Sequence, residues 1–317
     1  MLALLIAATL MVFALPFIPT AGLFLRRRDV LGPPPLSEAA YAPDHFARSL
    51  ITKLRARLVL IAQPVTAVAE YRVDGEPLLV VPASLRRAPR ECANTMSYAF
   101  GDLALPGSLS CHKEVACEGS LHTGEDATYR ALYAADILHL RWNSTIIRWC
   151  HADGHIEVEG NCRILGRASA NKTIKIDAPC EFMSMTAPTI LAGYAQSGAR
   201  GTLPRGVACV DTVAREPITL VPGTKQRGSV KARRLLEVGV GSVIEGALVC
   251  EGDIVIGARC VIWGPIVAEG RIRMGEGCEI GSPEAPASVV AEDIEILAPA
   301  VIHGALHAGR HGIIKYK

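Results

Sequence analysis

An internal repeat of 18 residues constrains this chain more than any other feature, because self-similarity at a fixed short period marks a stacked architecture. The stretch 240–257 aligns without a gap on 258–275. Ile244 meets Ile262, Gly246 meets Gly264, Leu248 meets Ile266, Ile254 meets Ile272 and Ile256 meets Met274. Within each unit, apolar residues fall in i, i+2 pairs every six residues, as in Leu248/Cys250, Ile254/Ile256 and Cys260/Ile262. Such a pair is a short strand with one buried face. Three of them per unit, joined by turns containing glycine, close a triangular coil. Stacked coils form an all-β solenoid, a triangular parallel β-helix with 18-residue coils.

The same frame recurs upstream. Cys162-x-Ile164-x-Gly166 matches Cys260-x-Ile262-x-Gly264, and steps of 18 connect Leu138, Ile156 and Ile174. About ten units are expected between Phe100 and Lys315, giving a β-helix domain over 100–317 and a rod of about 48 Å at the usual strand spacing. Two interruptions are expected, an excursion over 179–203 and a small expansion near 282–286. The stacked positions read as columns. One is small (Ala134, Ala152, Ala170, Ala214, Ala232, Cys250, Ala268) and one large (Leu138, Ile156, Ile174, Ile218, Leu236, Ile254, Ile272).

The repeat also accounts for the cysteines. The chain has 10, with no CxxC spacing, and Cys117, Cys150, Cys162, Cys180, Cys250, Cys260 and Cys278 all take inward phases. A free cysteine there is a small buried hydrophobe, so no metal is expected. Among the histidines, His139, His155 and His303 take outward phases, while His151 and His155 flank a turn. No GxSxG, P-loop, Rossmann glycine pattern or HExxH occurs, so no catalytic residue and no cofactor is expected. A net charge of +2 and 5% aromatic residues argue against a nucleic-acid partner.

The N-terminal region reads differently. Residues 1–25 carry no charge and are long enough to span a bilayer, and Arg26, Arg27 and Arg28 follow at once. A cleaved signal would have its positive charge before the apolar run. The arginines therefore predict an uncleaved transmembrane helix in the inner membrane with the β-helix on the cytoplasmic side. Residues 26–70 then hold a proline-rich linker (Pro33, Pro34, Pro35) and a basic amphipathic helix from Asp44 to about Ile61. Its apolar stripe of Phe46, Leu50, Ile51, Leu54, Leu58 and Ile61 suits an anionic membrane surface, a partner, or packing against one end of the following domain. Residues 71–99 are expected to cap the solenoid.

The phrasing of 222–315, with units ending Val-Ala-Glu-Gly and Ile-x-Ile-Gly, resembles the bactofilins, a bacterial family of polymer-forming cytoskeletal proteins. The likeness is looser over 100–221. The resemblance implies a right-handed β-helix and end-to-end self-association without nucleotide. It also implies attachment to the membrane and a scaffolding role for envelope or polysaccharide-synthesis proteins. An open coil leaves backbone groups unpaired, so the self-association candidates are Phe100, Leu103 and Leu105 at one end and Ile313, Ile314 and Tyr316 at the other. A cap over 71–99 would instead limit the protein to a monomer or dimer, or to a non-polymerising adaptor. A different class remains open. Ile256-Gly-Ala-Arg-Cys-Val also fits the hexapeptide of left-handed β-helix acyltransferases, which work as trimers, with His151 or His155 as the candidate bases.

Overall fold

The computed structural model describes residues 42–58, 66–73, 75–193 and 211–316. They form an all-β solenoid of about 12 turns with the 18-residue spacing, preceded by helix α1 (His45–Leu58). The expected membrane helix over 1–25, the arginines at 26–28 and the proline linker lie outside the described residues. Among the described residues no helix is long and apolar enough to cross a membrane.

Each coil contributes one strand to each of three faces, and every strand pairs with its equivalent one coil away. On the first face Tyr98 pairs with Ala116, Ala116 with Tyr133 and Tyr133 with His151. On the second, Leu138, Ile156 and Ile174 stack in register. On the third, Cys111 pairs with Tyr129 and Tyr129 with Ile146. One corner, between the second and third faces, holds a left-handed residue in successive coils. These are Ser108, Asp126, Asn143 and Asn161 in the N-terminal half, and Gly223, Gly241, Arg259 and Gly277 in the C-terminal half. Asn, Asp and Gly tolerate that conformation, which is why the turn chemistry recurs with the repeat. The amide of each donates to a carbonyl of the next coil, as Asn143 N does to Gly160 O at 2.9 Å. Inward side chains are sealed: Leu138, Ile156, Ile174, Leu236, Ile254 and Ile272 are all 0% exposed. Complete burial of each such side chain contributes about 1.5–3 kcal/mol.

The two halves do not form one unidirectional stack. The last coil of the first half is a single strand, Cys180–Ala192, that wraps all three faces. It pairs antiparallel with the last coil of the chain, Ala300–Lys315, in the register Cys180↔Ile314, Met185↔Leu306 and Ile190↔Ile302. The halves thus meet C-terminal end to C-terminal end, across a pseudo-twofold axis. Both ends of the rod are N-terminal coils, Glu76–Val81 for one half and the strands of 212–227 for the other.

Three expectations change as a result, and a fourth is met. The solenoid begins at Glu76, since Glu76–Val81 pairs in parallel with Met96–Ala99, so most of 71–99 is a coil rather than a separate cap. The excursion over 179–203 is strand as far as Ala192, and 194–210 lie outside the described residues. The small column holds on the first face within each half. The large one divides: Leu138, Ile156 and Ile174 stack on the second face, whereas Ile218, Leu236, Ile254 and Ile272 stack on the third. Reversing the stacking direction exchanges these two faces, which a one-dimensional period cannot encode. The expansion at 282–286 is present, as a loop between Cys278–Ile280 and Ala287–Leu297.

Helix α1 lies along the outside of the first face of the N-terminal half, not against its end. Ala47, Ile51, Leu54 and Leu58 bury against Leu78, Val80, Tyr98, Ala116 and Tyr133. Arg55 grips Glu118 through two hydrogen bonds of 2.8 and 2.6 Å, and Tyr98 donates to the same carboxylate. At the other end of the helix Phe46 stays 49% exposed, with the Arg167 guanidinium 5.7 Å from its ring centre.

The junction yields a direct stability test. Leu306→Ala should lower stability by about 2–5 kcal/mol through its cavity. Gly312→Val, whose Cβ would lie 2.6 Å from the Phe182 ring, should cost about 1–3 kcal/mol by overpacking. Urea unfolding followed by circular dichroism measures both. Gly241→Ala meets no atom within 4 Å, so it should cost only the left-handed strain of about 1–2 kcal/mol.

Candidate self-association surface

A β-helix is chemically unfinished at its ends, where strand edges and the apolar cross-section have no next coil. At the N-terminal end of this rod the strand edge of the first face is covered. Strand Ala69–Val73 pairs antiparallel along Glu76–Val81, from Ala69↔Val80 to Val73↔Glu76. Beyond it the first coil turns irregular, with Pro82 and Pro89 lacking amide donors, Arg86, Arg87 and Arg90 clustered, and a short 3-10 helix at Arg90–Ala93. Proline and positive charge are both features that discourage edge pairing.

The opposite end also contains prolines (Pro217, Pro222) and basic residues (Arg215, Lys225, Arg227), but no covering strand occurs there among the described residues. Among the described residues, Thr212–Ala214, Ile218–Leu220 and Lys225–Arg227 each pair on one side only, with Val230–Ala232, Leu235–Val238 and Val243–Glu245. Ile218 and Leu220 are only partly buried, whereas Leu236 and Val238 one coil deeper are sealed. Val213 and Val221 stand 73% and 68% exposed. Across the interior of this coil Gln226 Nε2 donates to Thr212 Oγ1 at 3.1 Å, so its mouth is apolar with one polar tie. Residues 194–210, outside the described residues, lead into this coil.

The residues expected to form the ends lie elsewhere. Ile313 and Ile314 sit in the junction, paired with Glu181 and Cys180, and Ile314 is 0% exposed. The Tyr316 hydroxyl donates to the Ile176 carbonyl. Leu103 and Leu105 are buried in the second coil, and Phe100 is exposed beside Tyr98 with ring centres 5.3 Å apart. None of the six reaches an end. The sequence carries the signal of the coil that pairs on one side among the described residues, Ile218-x-Leu220 at the start of the second repeat block, but that signal becomes visible only once the stacking reverses.

Two of the histidines among the described residues are buried in polar ties. His151 is 1% exposed on the outer side of the first face, with Nδ1 2.7 Å from Ser169 Oγ and Nε2 3.1 Å from Asp153 Oδ1. Tyr133 donates to the other Asp153 oxygen at 2.6 Å. Ser169 is 5% exposed and enclosed beside the ring, so the group ties three coils together rather than presenting a nucleophile. His303, expected to be exposed, is 3% exposed, with Nδ1 3.2 Å from Thr189 Oγ1. No cluster of metal-ligating residues occurs among the described residues. The nine described cysteines are buried, and burial pushes the thiols of Cys111, Cys117 and Cys150 up to about 12. Comparisons with family models, curated proteins and solved structures found no match.

Two outcomes follow for this region. A thiol reagent of the dithiobisbenzoate type should leave the nine described cysteines unlabelled in the native chain and label them after unfolding. Acid should loosen helix α1. The Arg55 guanidinium holds Glu118 below the ordinary carboxylate range, which lies near about 4.3. A depressed carboxylate stabilises at any pH above its unfolded value, and that contribution disappears as pH falls through the folded one. The pair is partly exposed, so it contributes at most about 1 kcal/mol. Proteolysis within 45–58 should accelerate below about pH 4, and Glu118→Gln should abolish that dependence.

Proposed function

We propose that this chain is a membrane-anchored, bactofilin-like scaffold that joins to a second copy through the coil end at 212–227. In that role it localises envelope or polysaccharide-synthesis machinery on the cytoplasmic side of the inner membrane. The observation that carries the self-association reading is the contrast between the two rod ends, one edge covered by Ala69–Val73 and the other paired on one side only. The bactofilin resemblance and the arginine-flanked apolar segment support the scaffold and its location.

One open end has a definite consequence. A filament with heterologous contacts needs two complementary ends, whereas a single open end closes into a twofold pair. The chain already contains the required joint: Cys180–Ala192 and Ala300–Lys315 join two coil ends antiparallel over all three faces. Two copies meeting at 212–227 would repeat that geometry between chains. The product is a rod of two molecules with no open edge left to extend, which separates this reading from an indefinite polymer.

Sedimentation of a fragment starting at Phe46, free of nucleotide and metal, tests the reading. A reversible dimer is expected. Val213→Lys combined with Val221→Lys, both at exposed positions, should leave the fold intact and shift the equilibrium to monomer by about tenfold or more. A wild-type monomer would contradict self-association. A discrete trimer would favour the acyltransferase architecture.

A further inference from the structure

The corner between the third and first faces of the N-terminal half carries an apolar strip that the core does not use. Ile147 and Leu165, one coil apart at this corner, are 46% and 44% exposed. Phe46, at the start of helix α1 and 49% exposed, adjoins them through Arg167, two residues beyond Leu165. Half-buried Met183 continues the strip on the last coil of this half. A Cβ at Gly166 would run into the Arg148 carbonyl, so stacking leaves no shielding side chain at that position. Single exposed apolar residues are ordinary, but large ones grouped in this way mark an interaction surface.

The charge around the strip is basic. Arg148 and Arg167 are exposed, and neither makes an ion pair among the described residues. The repeat explains why. Elsewhere an outward arginine meets a carboxylate one coil away, as Arg163 meets Glu181 and Arg227 meets Glu245. One coil on from Arg148 stands Gly166, and the neighbours of Arg167 are Trp149 and Ser184. Glu181 on the next coil is engaged by Arg163, and Glu114 two coils back by Arg130. Apolar side chains set among uncompensated arginines match a bilayer with anionic headgroups, the first entering the acyl boundary and the second meeting phosphates. Chain connectivity points the same way. Residues 1–41, with the uncharged stretch 1–25, are joined to the rod through the helix start that bears Phe46.

We infer that this corner rests on an anionic lipid surface, with Phe46, Ile147 and Leu165 entering the interface and Arg148 and Arg167 on lipid phosphates. The inference rests on the membrane location proposed above and adds which side of the rod faces lipid. The coil end at 212–227 belongs to the other half, so lipid contact leaves it free to pair.

The test uses the full chain reconstituted into vesicles of phosphatidylcholine with phosphatidylglycerol, or of phosphatidylcholine alone. Ile147→Cys in a Cys209→Ser background carries a fluorophore, which the nine described cysteines, being buried, do not take up. Lys175→Cys, on the second face across the coil from this corner, is the control. With brominated lipids in the anionic vesicles the label at 147 should be quenched and the label at 175 should not. Raised salt, or Arg148→Glu combined with Arg167→Glu, should bring quenching at 147 down to the level at 175. Unfolding midpoints confirm that the variant is folded. Equal quenching at the two positions, or quenching at 147 that neutral vesicles reproduce, would overturn the inference. A chain that floats with the vesicles but leaves the label at 147 unquenched would overturn it while the anchor stands, and would assign the corner to a protein partner. A chain that does not float would remove the membrane location as well.

Discussion

The structure depends on one constraint, that every backbone edge of a coil needs a neighbour. Inside the rod the next coil supplies it, and sealed columns such as Leu236, Ile254 and Ile272 follow almost automatically once strands are in register. All the variety of the molecule is therefore found where a coil lacks a successor. The chain has three such places and treats each differently. It folds a strand back over one, joins a second to its own C-terminal coil, and leaves the third paired on one side among the described residues.

The antiparallel joint explains features that a simple stack would not. Cys180–Ala192 and Ala300–Lys315 run unbroken across corners because each must pair with a partner of opposite direction. Phe182 fits against Gly312 because a side chain there would collide with its ring. Helix α1 spreads over the outer face of one half only, where Tyr98, Ala116 and Tyr133 supply an apolar seat and Glu118 a charged one. The two halves are alike in core and different in surface, one of them dressed by a helix.

Much of this was legible in the sequence, and what was not has a physical reason. Strand phase, inward cysteines and turn glycines repeat every 18 residues because each coil solves the same packing problem, so Leu248/Cys250 or Ile254/Ile256 announce themselves. Stacking direction leaves no such mark: a unit has the same pattern whichever way the next unit lies. That is why Ile313, Ile314 and Tyr316 read as an end and lie in a joint. The helix at 45–58 was apparent from its stripe, but its seat was not, since Tyr98 and Tyr133 look like ordinary outward residues until the helix covers them. The polar tie of His151, Asp153 and Ser169 also escaped, because Ser169 reaches the His151–Asp153 pair only by stacking of coils 18 residues apart.

The central claim is that the coil at 212–227 finds its missing neighbour in a second copy. Amide hydrogen exchange across a range of protein concentrations addresses it residue by residue. Protection of Thr212–Ala214, Ile218–Leu220 and Lys225–Arg227 should rise with concentration, while Glu76–Val81, already covered by its own chain, should not change. Protection at 212–227 that is independent of concentration would mean that the chain closes this end by itself, and the account of self-association would be wrong.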